Sequence, residues 1–553
     1  MKDAKDQTPM MRQYHSFKER CKDAVLFFRM GDFYEMFYED AKIASRVLGI
    51  ALTSRAKGDK AVPMAGIPHH SAGPYIRRLL KAGHKVAICE QVQDPREAKG
   101  IVDRDITRII TPGTLTEENL LEDKVNNYLA CVLPGSEVAG VSWVELSTGR
   151  FELTDIPRTR LMDELYRLRP SECIVPEDTR DDTLMRDLGV GLGITITRRP
   201  GWEFSRDTAY RALVEHFSTN NLEGFGCEEL GPAIGAGGAI VQYLKETQNN
   251  CLDHITNLKR FTTRDTLLID AATQSGLELI ETVRTRQSEG SLLWVLDRTR
   301  TPRGARLLKE WVLFPLISPQ KIRLRQQGIS ELHGNQTLRA TLRSLLKEMF
   351  DIERISTRVS SGRSNARDLI ALKNSLEVLP RLKEELSDID SEILKSLRTG
   401  LDDVNGVSVL VATALVESPP QTVREGGMIK EGYSPELDEL RSIRKNGREW
   451  IAKFQAEEIS RSGIASLKVN YNKVFGYYIE VANTHRDRIP ANYIRKQTLK
   501  NAERYITPEL KDYESRVLTA EERSRELEYQ LFEDIRSKVA RYTPVIQRVA
   551  ASV

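Results

Sequence analysis

Phe33 and Glu35 stand two residues apart in the run Gly31-Asp32-Phe33-Tyr34-Glu35-Met36-Phe37. In an extended segment that spacing puts an aromatic ring and a carboxylate on the same side. A ring pushed between base steps unstacks them and kinks a duplex, and a protein recovers that cost only where stacking is already weak, as at a mispair. Phosphates repel a carboxylate. Near DNA it therefore faces a base edge, where it accepts a hydrogen bond, or donates one if protonated. An alternating strand with Phe33 in the core and Glu35 in solvent gives the same pattern, so the heptapeptide alone leaves both readings open.

A second candidate lies near the other end. Within 461–510 the basic residues Arg461, Lys468, Lys473, Arg486, Arg488, Arg495, Lys496, Lys500 and Arg504 face only Glu480, Asp487, Glu503 and Glu509. Such a local excess is the footprint of a phosphate-binding surface, although a solvated charged face has the same composition. The segment alternates at Ser466–Tyr471 and again at Gly476–Val481, as antiparallel strands with one solvated side do. Helical seams flank it: Leu437, Leu440, Gly447, Ile451 and Phe454 before, with Arg444 interrupting, and Leu510, Tyr513, Val517, Ala520, Leu527 and Leu531 after. Arms of about 28 residues would span roughly 42 Å and hold the insert away from the rest.

The elements that position these residues belong to a long chain. At 553 residues and 40% hydrophobic content the expectation is about three or four domains, each with its own core. No apolar run approaches membrane-spanning length, and the charged start from Lys2 argues against a signal peptide. Six cysteines without a C-x-x-C pair read as reduced, buried thiols of a cytosolic protein, and dispersed histidines, His69-His70 included, give no metal-ligand spacing. The formal charge of +3 says little as a total. Thr111-Pro112-Gly113 is a turn and a plausible boundary. Beyond it, Glu117 to Tyr128 reads as a helix, and Val138–Glu145 and Arg150–Leu153 across Ser147-Thr148-Gly149 as a hairpin. From Leu267 to about Leu415 the pattern is almost wholly helical.

Several long motifs in order make the chain resemble the MutS family of DNA mismatch-repair proteins. They are Thr8-Pro9-Met10-Met11, Phe28 to Phe37, Pro63-Met64-Ala65-Gly66-Ile67-Pro68, Val86 to Gln91, Thr111-Pro112-Gly113-Thr114, Leu296-Asp297-Arg298-Thr299, Gly304 to Leu308 and Gln497 to Ile506. The resemblance implies a multidomain α/β plus α fold. Its parts would be a mixed α/β mismatch-recognition domain over 1–112, a ribonuclease-H-like connector over 113–261, helical core and lever over 262–461, a small β-rich clamp over 462–507 and a returning lever helix over 508–553. It also implies that Phe33 stacks on a mispaired base, that Glu35 hydrogen-bonds it, and that Lys468, Lys473, Arg495, Lys496, Lys500 and Asn501 hold phosphates. One departure is Ser275-Gly276, where the family commonly has a bulkier polar residue.

The implied function is recognition of mismatched or unpaired bases in double-stranded DNA, in a bacterial, cytoplasmic, nucleoid-associated setting, with a MutL-like repair partner. Intact members are homodimers and ATPases that use ATP and magnesium. This sequence contains no Gly-Lys dipeptide, hence no G-x-x-x-x-G-K-[ST] phosphate loop. The expectation is no ATP hydrolysis and no cofactor on this chain, which would be mainly monomeric. Two rival readings are a partner-docking scaffold and a structure-specific nuclease. Two-metal cleavage needs several convergent carboxylates, and the connector strand offers only Glu145.

Overall fold

Gly31 and Asp32 form the two-residue turn between β1 (Ala24–Met30) and β2 (Phe33–Phe37), which pair antiparallel with Met30 opposite Phe33. Gly31 has φ +58°, a region glycine enters without a Cβ clash. The structure, a computed structural model, describes residues 8–54, 61–93, 100–249, 251–262, 266–423, 425–445, 447–472 and 476–553, and the side chains of 444–449 are outside the description. The chain divides into two compact units. One comprises Met1–Arg363, Ser375–Val404 and Arg541–Val553, the other Ser364–Asn374 and Asn405–Ala540.

In the first unit the β1–β2 hairpin is the middle of a six-stranded sheet with β3 (Thr53–Ser54), β4 (Pro63–Pro68), β5 (Lys85–Gln91) and β6 (Arg104–Ile110), ordered β3-β4-β2-β1-β5-β6. Only β1 and β5 run parallel. Helix α1 (Pro9–Arg20) starts at Thr8, whose Oγ1 accepts from the Met11 amide, with Pro9 at the first helical position. It lays Met11, Tyr14 and Phe17 onto Phe28 and Phe37 on one sheet face. Helices α2 (Tyr38–Leu48) and α3 (Gly73–Lys81) cover the other face, where Tyr34 and Met36 point.

The helix expected over Glu117–Tyr128 does not form; 117–127 is turns and irregular backbone, and Tyr128 opens a strand. Arginines from elsewhere take the carbonyls that a helix would have used. Arg354 donates to the carbonyls of Glu122 and Val125, Arg306 to that of Asp123, and Arg77 to that of Asn119. Leu120 and Leu121 are buried, so the segment is anchored without being regular.

A second six-stranded sheet follows, made of β7 (Tyr128–Leu133), β8 (Val138–Glu145), β9 (Arg150–Pro157), β10 (Glu172–Pro176), β11 (Thr195–Arg199) and β12 (Leu258–Arg260), ordered β11-β10-β7-β8-β9-β12. β7, β8 and β9 form an antiparallel meander that contains the expected hairpin, while β10 runs parallel to β7, β11 to β10 and β12 to β9. α4 (Arg206–Phe217) and α5 (Pro232–Thr247) pack on one face. Buried Glu172 ties this sheet to the Thr111-Pro112-Gly113 turn, accepting from the Gly113 amide, the Thr111 and Thr197 hydroxyls and the Tyr243 phenol. Five cysteines are buried as expected, but Cys251 is exposed.

The helical part of this unit includes α6 (Pro302–Leu313), α7 (Ile352–Ser360) and the last helix of the chain, Thr543–Ser552. Arg306 on α6, 2% exposed, is held by Asp351 and Glu353. Gly276 is the final residue of a short helix, Ala271–Gly276, so it does not carry the mid-helix penalty of roughly 1 kcal/mol.

In the second unit the arms are α8 (Pro435–Lys445) and α9 (Gly447–Ser462) going out and α10 (Pro508–Ala540), 33 residues long, coming back. Arg444 and Gly447, expected on the outgoing seam, fall in 444–449, whose burial is outside the description. Along α10 the buried positions are Leu510, Tyr513, Glu514 and Ala520, then Glu528, Phe532, Ile535 and Val539. Leu527 and Leu531 are only half-buried, one residue off the seam. Glu528 takes the interior place because its carboxylate finds donors there: the amides of Met428 and Ile429 at 2.6 and 2.8 Å and Arg441 at 2.9 Å. The insert is a four-stranded antiparallel sheet of β13 (Lys468–Asn472), β14 (Gly476–Ala482), β15 (Ile494–Thr498) and β16 (Ala502–Ile506), ordered β13-β14-β16-β15.

Candidate nucleic-acid interface

Strand β2 emerges from under α1 one side chain at a time. Phe37, Glu35 and Phe33 lie on the same face: Phe37 is fully buried, Glu35 half-buried, and Phe33 is 45% exposed. The alternative of a core Phe33 is thereby answered. The intervening residues fix the strand from behind. Tyr34 is buried among Phe27, His69 and the Arg29 guanidinium, and its hydroxyl donates to Glu90. Burial first, and then the Glu90 charge, push the Tyr34 phenol well above its ordinary value, so it stays a protonated donor. The His69 amide donates to the Asp32 carbonyl at 3.0 Å, which holds the turn just before Phe33.

Glu35 is flanked across the sheet by Phe28 on β1 and Gly66 on β4. Phe28 carries the Arg104 guanidinium over its ring at 4.8 Å. Gly66 has no side chain where the carboxylate lies: a Cβ there would stand 2.7 Å from Glu35 Oε2 and 2.9 Å from its Cδ. The glycine of Pro63-Met64-Ala65-Gly66-Ile67-Pro68 thus sets where the carboxylate rests. Sequence reading missed this role; the motif gave Gly66, but only the pairing register places it under Glu35.

In the insert, Lys468, Arg495, Lys496, Lys500 and Asn501 are all exposed, and Lys473 lies outside the described residues. Their charges are not equivalent. Arg495 is 3.4 Å from Glu503, which is buried and also takes Arg486 and the Tyr505 hydroxyl. Arg504 pairs with Glu480 at 3.0 Å and lies over the Tyr478 ring, and Arg461 pairs with Glu458. Among the described residues Lys468, Lys496 and Lys500 have no ion-pair partner. Lys496 is the extra residue of a bulge between Arg495 and Gln497 on edge strand β15, and a bulge re-aims the side chain it carries. Lys500 and Asn501 sit in the β15–β16 turn, whose carbonyls accept from the side chain and the amide of Asn483.

Glu145, the one connector carboxylate considered for metal chemistry, is buried and accepts from the Ser147 hydroxyl at 2.7 Å. No group of three or more His, Cys, Asp or Glu among the described residues is placed to hold a metal ion.

Fold and site together define a class: a multidomain protein with an exposed ring beside a carboxylate on one sheet and a lysine-bearing β-insert on helical arms. Residues 8–119 match the family described as MutS domain I, residues 127–256 MutS domain II and residues 272–553 MutS domain III. The chain belongs to the MutS family. It is 47% identical to the DNA mismatch repair protein MutS of Halothermothrix orenii over 99% of this chain and 61% of that protein. Identity is 46% to the MutS of Symbiobacterium thermophilum and 44% to that of Rhodopirellula baltica, each over 99% of this chain and 63% of the relative. The chain therefore spans about three fifths of the length of these curated relatives. No described helix is long and apolar enough to cross a membrane.

Proposed function

We propose that this chain recognises mispaired or unpaired bases in double-stranded DNA for mismatch repair. Phe33 enters the weakened stack and Glu35 meets the exposed base edge. The observation that carries the reading is the 45% exposure of Phe33 on a strand whose neighbours on both faces are anchored. A free ring on a rigid support loses little conformational freedom on insertion, which is what a wedge requires. The relatives' names as DNA mismatch repair proteins point the same way.

Lys468, Lys496 and Lys500 supply phosphate contacts in this reading, with Asn501 beside them and Arg495 shared between phosphate and Glu503. Contacts of that kind position a duplex without reading its sequence. Two further parts belong to the same proposal. The strand order β9-β8-β7-β10-β11, an antiparallel meander followed by two parallel strands, supports the ribonuclease-H-like reading of the connector; a MutL-like partner is the protein it would dock. ATP and magnesium chemistry of longer relatives needs a phosphate loop that these 553 residues do not contain, and base recognition as proposed uses neither.

The test is a titration of matched duplex and of the same duplex with one G·T mispair, at one stated salt concentration, with wild type and Phe33→Ala. Stacking on a base is worth roughly 1–3 kcal/mol, so the variant should lose its mismatch preference and bind matched duplex about as before. Full discrimination by the variant would remove Phe33 from the wedge role.

A further inference from the structure

Within the first unit, the last turn of α3, the 112–128 connection, the Arg167–Ser171 segment and the end of α6 line a half-open cavity of about 480 Å³. Its wall has two characters. Leu115, Leu121, Leu313 and Phe314 give it an apolar side, and Arg77, Lys81, Arg167, Arg169 and Lys309 bring cations to it. Most of those cations already have acceptors. Arg77 donates to the Asn119 carbonyl, and Arg167 pairs with Glu164 while lying 4.2 Å over the Phe314 ring. Arg169 holds both oxygens of Glu281 at 2.9 and 3.0 Å.

Lys309 is different. Among the described residues it has no hydrogen-bond or ion-pair partner, and Glu122 and Glu281 act on it only through space. Burial first, and then the Arg169 charge, hold its ammonium below the usual lysine value. Lys309 is half-buried, and a cation partly withdrawn from water beside other cations is a cost to the fold that a bound anion would relieve. The carboxylates on the wall do not serve: Glu310 is taken by Arg150, and Glu122 is exposed.

We propose that this cavity binds a small phosphate-bearing organic molecule of mononucleotide size, its anionic head on Lys309 and its apolar body against Leu313 and Phe314. The volume falls in the range of small-ligand sites, and the division into an apolar wall with a few polar groups is their usual composition. Bound there, the ligand would join α3, the 112–128 connection and α6. The site owes nothing to the base-recognition reading above, since it shares no residue with Phe33, Glu35 or the insert.

The experiment is a thermal-shift and calorimetric titration of the 553-residue chain with adenosine 5′-monophosphate, inorganic phosphate and adenosine. Expected is saturable stabilisation by the monophosphate, with adenosine clearly weaker. Lys309→Met should weaken it by about tenfold or more while raising the Tm of the unliganded chain, because an unneutralised cation has gone. Lys81→Gln, at the exposed rim, should weaken binding less and leave the unliganded Tm unchanged. Absence of any monophosphate effect at millimolar concentration would overturn the proposal. So would undiminished binding by Lys309→Met, equal binding of adenosine, or a response to inorganic phosphate alone. A lowered Tm of unliganded Lys309→Met would make the lysine structural and overturn it as well.

Discussion

A single missing side chain governs the geometry of the candidate base-reading group. Gly66 faces Glu35 across the β2–β4 ladder, and the atoms nearest its absent Cβ are the carboxylate's own. The far end of a glutamate is flexible, so Gly66→Ala should displace the carboxylate and leave the sheet standing. The expected outcome is a reduced preference for G·T over matched duplex, with a Tm close to wild type. Combined with Glu35→Ala, the second change should add nothing, since both act on one group. Additive losses in that double-mutant cycle would show that Gly66 acts by another route. Phe33 and Glu35 were legible from type and spacing because period-two alternation decides the side of a strand. Their exposure was not, since it depends on where α1 stops covering the sheet.

Among the elements, the insert and its arms carry separate tests. Lys496 is aimed by the β15 bulge and Lys500 by the turn that follows, and among the described residues neither charge is paired with a carboxylate. Replacing both by alanine should weaken matched and mispaired duplex alike and reduce the slope of log K against log salt by up to about 2. An unchanged slope would place the phosphate contacts elsewhere. In the arms, Glu528 gathers two backbone amides and Arg441 at one buried carboxylate oxygen. Glu528→Ala strands those donors and should cost about 3–5 kcal/mol in denaturant unfolding. Glu528→Gln keeps an acceptor for the amides and should cost less. Heptad-like spacing predicted the α10 seam correctly at Leu510, Tyr513 and Ala520 and then drifted by one position. A straight helix does not hold a 3.5-residue repeat, and a carboxylate with three donors can occupy the inside.

Across the whole molecule, stability should depend on pH through a buried histidine, His254. Its Nε2–H donates to the Leu146 carbonyl at 2.9 Å, and its own carbonyl accepts from Gln547 on the chain's last helix. Burial lowers its pKa from 6.5 to about 4. With the folded value below the unfolded one, the unfolded chain takes up the proton first. The contribution is complete above pH 6.5 and is lost as the pH falls toward 4, at most roughly 3 kcal/mol at about 1.4 kcal/mol per pH unit. His254→Gln should flatten that part of the stability profile in denaturant titrations at pH 7.5 and pH 5. An equal slope in the variant would assign the acid sensitivity to the carboxylates instead.

Local pattern was enough to determine the mixed α/β start, the β8–β9 hairpin, the helices from Pro302 onward, the strand-forming insert and the motifs that mark the family. Each of these rests on turn chemistry, periodicity or residue type within a few positions. Strand β7 was not expected, and the turns over 277–291 depart from the helix expected there. The sequence also supplied a local excess of basic residues, but not which of them are available. Glu503, Glu480 and Glu458 answer Arg495, Arg504 and Arg461, while Lys468, Lys496 and Lys500 have no ion-pair partner among the described residues. Residues 117–128 carry a helical pattern and form no helix, because arginines up to 232 positions away take the carbonyls. Charge compensation, cover and hydrogen-bond capture are set by neighbours in space. Only the tertiary structure decided them, because the groups that make these contacts are brought together by folding and are remote along the chain.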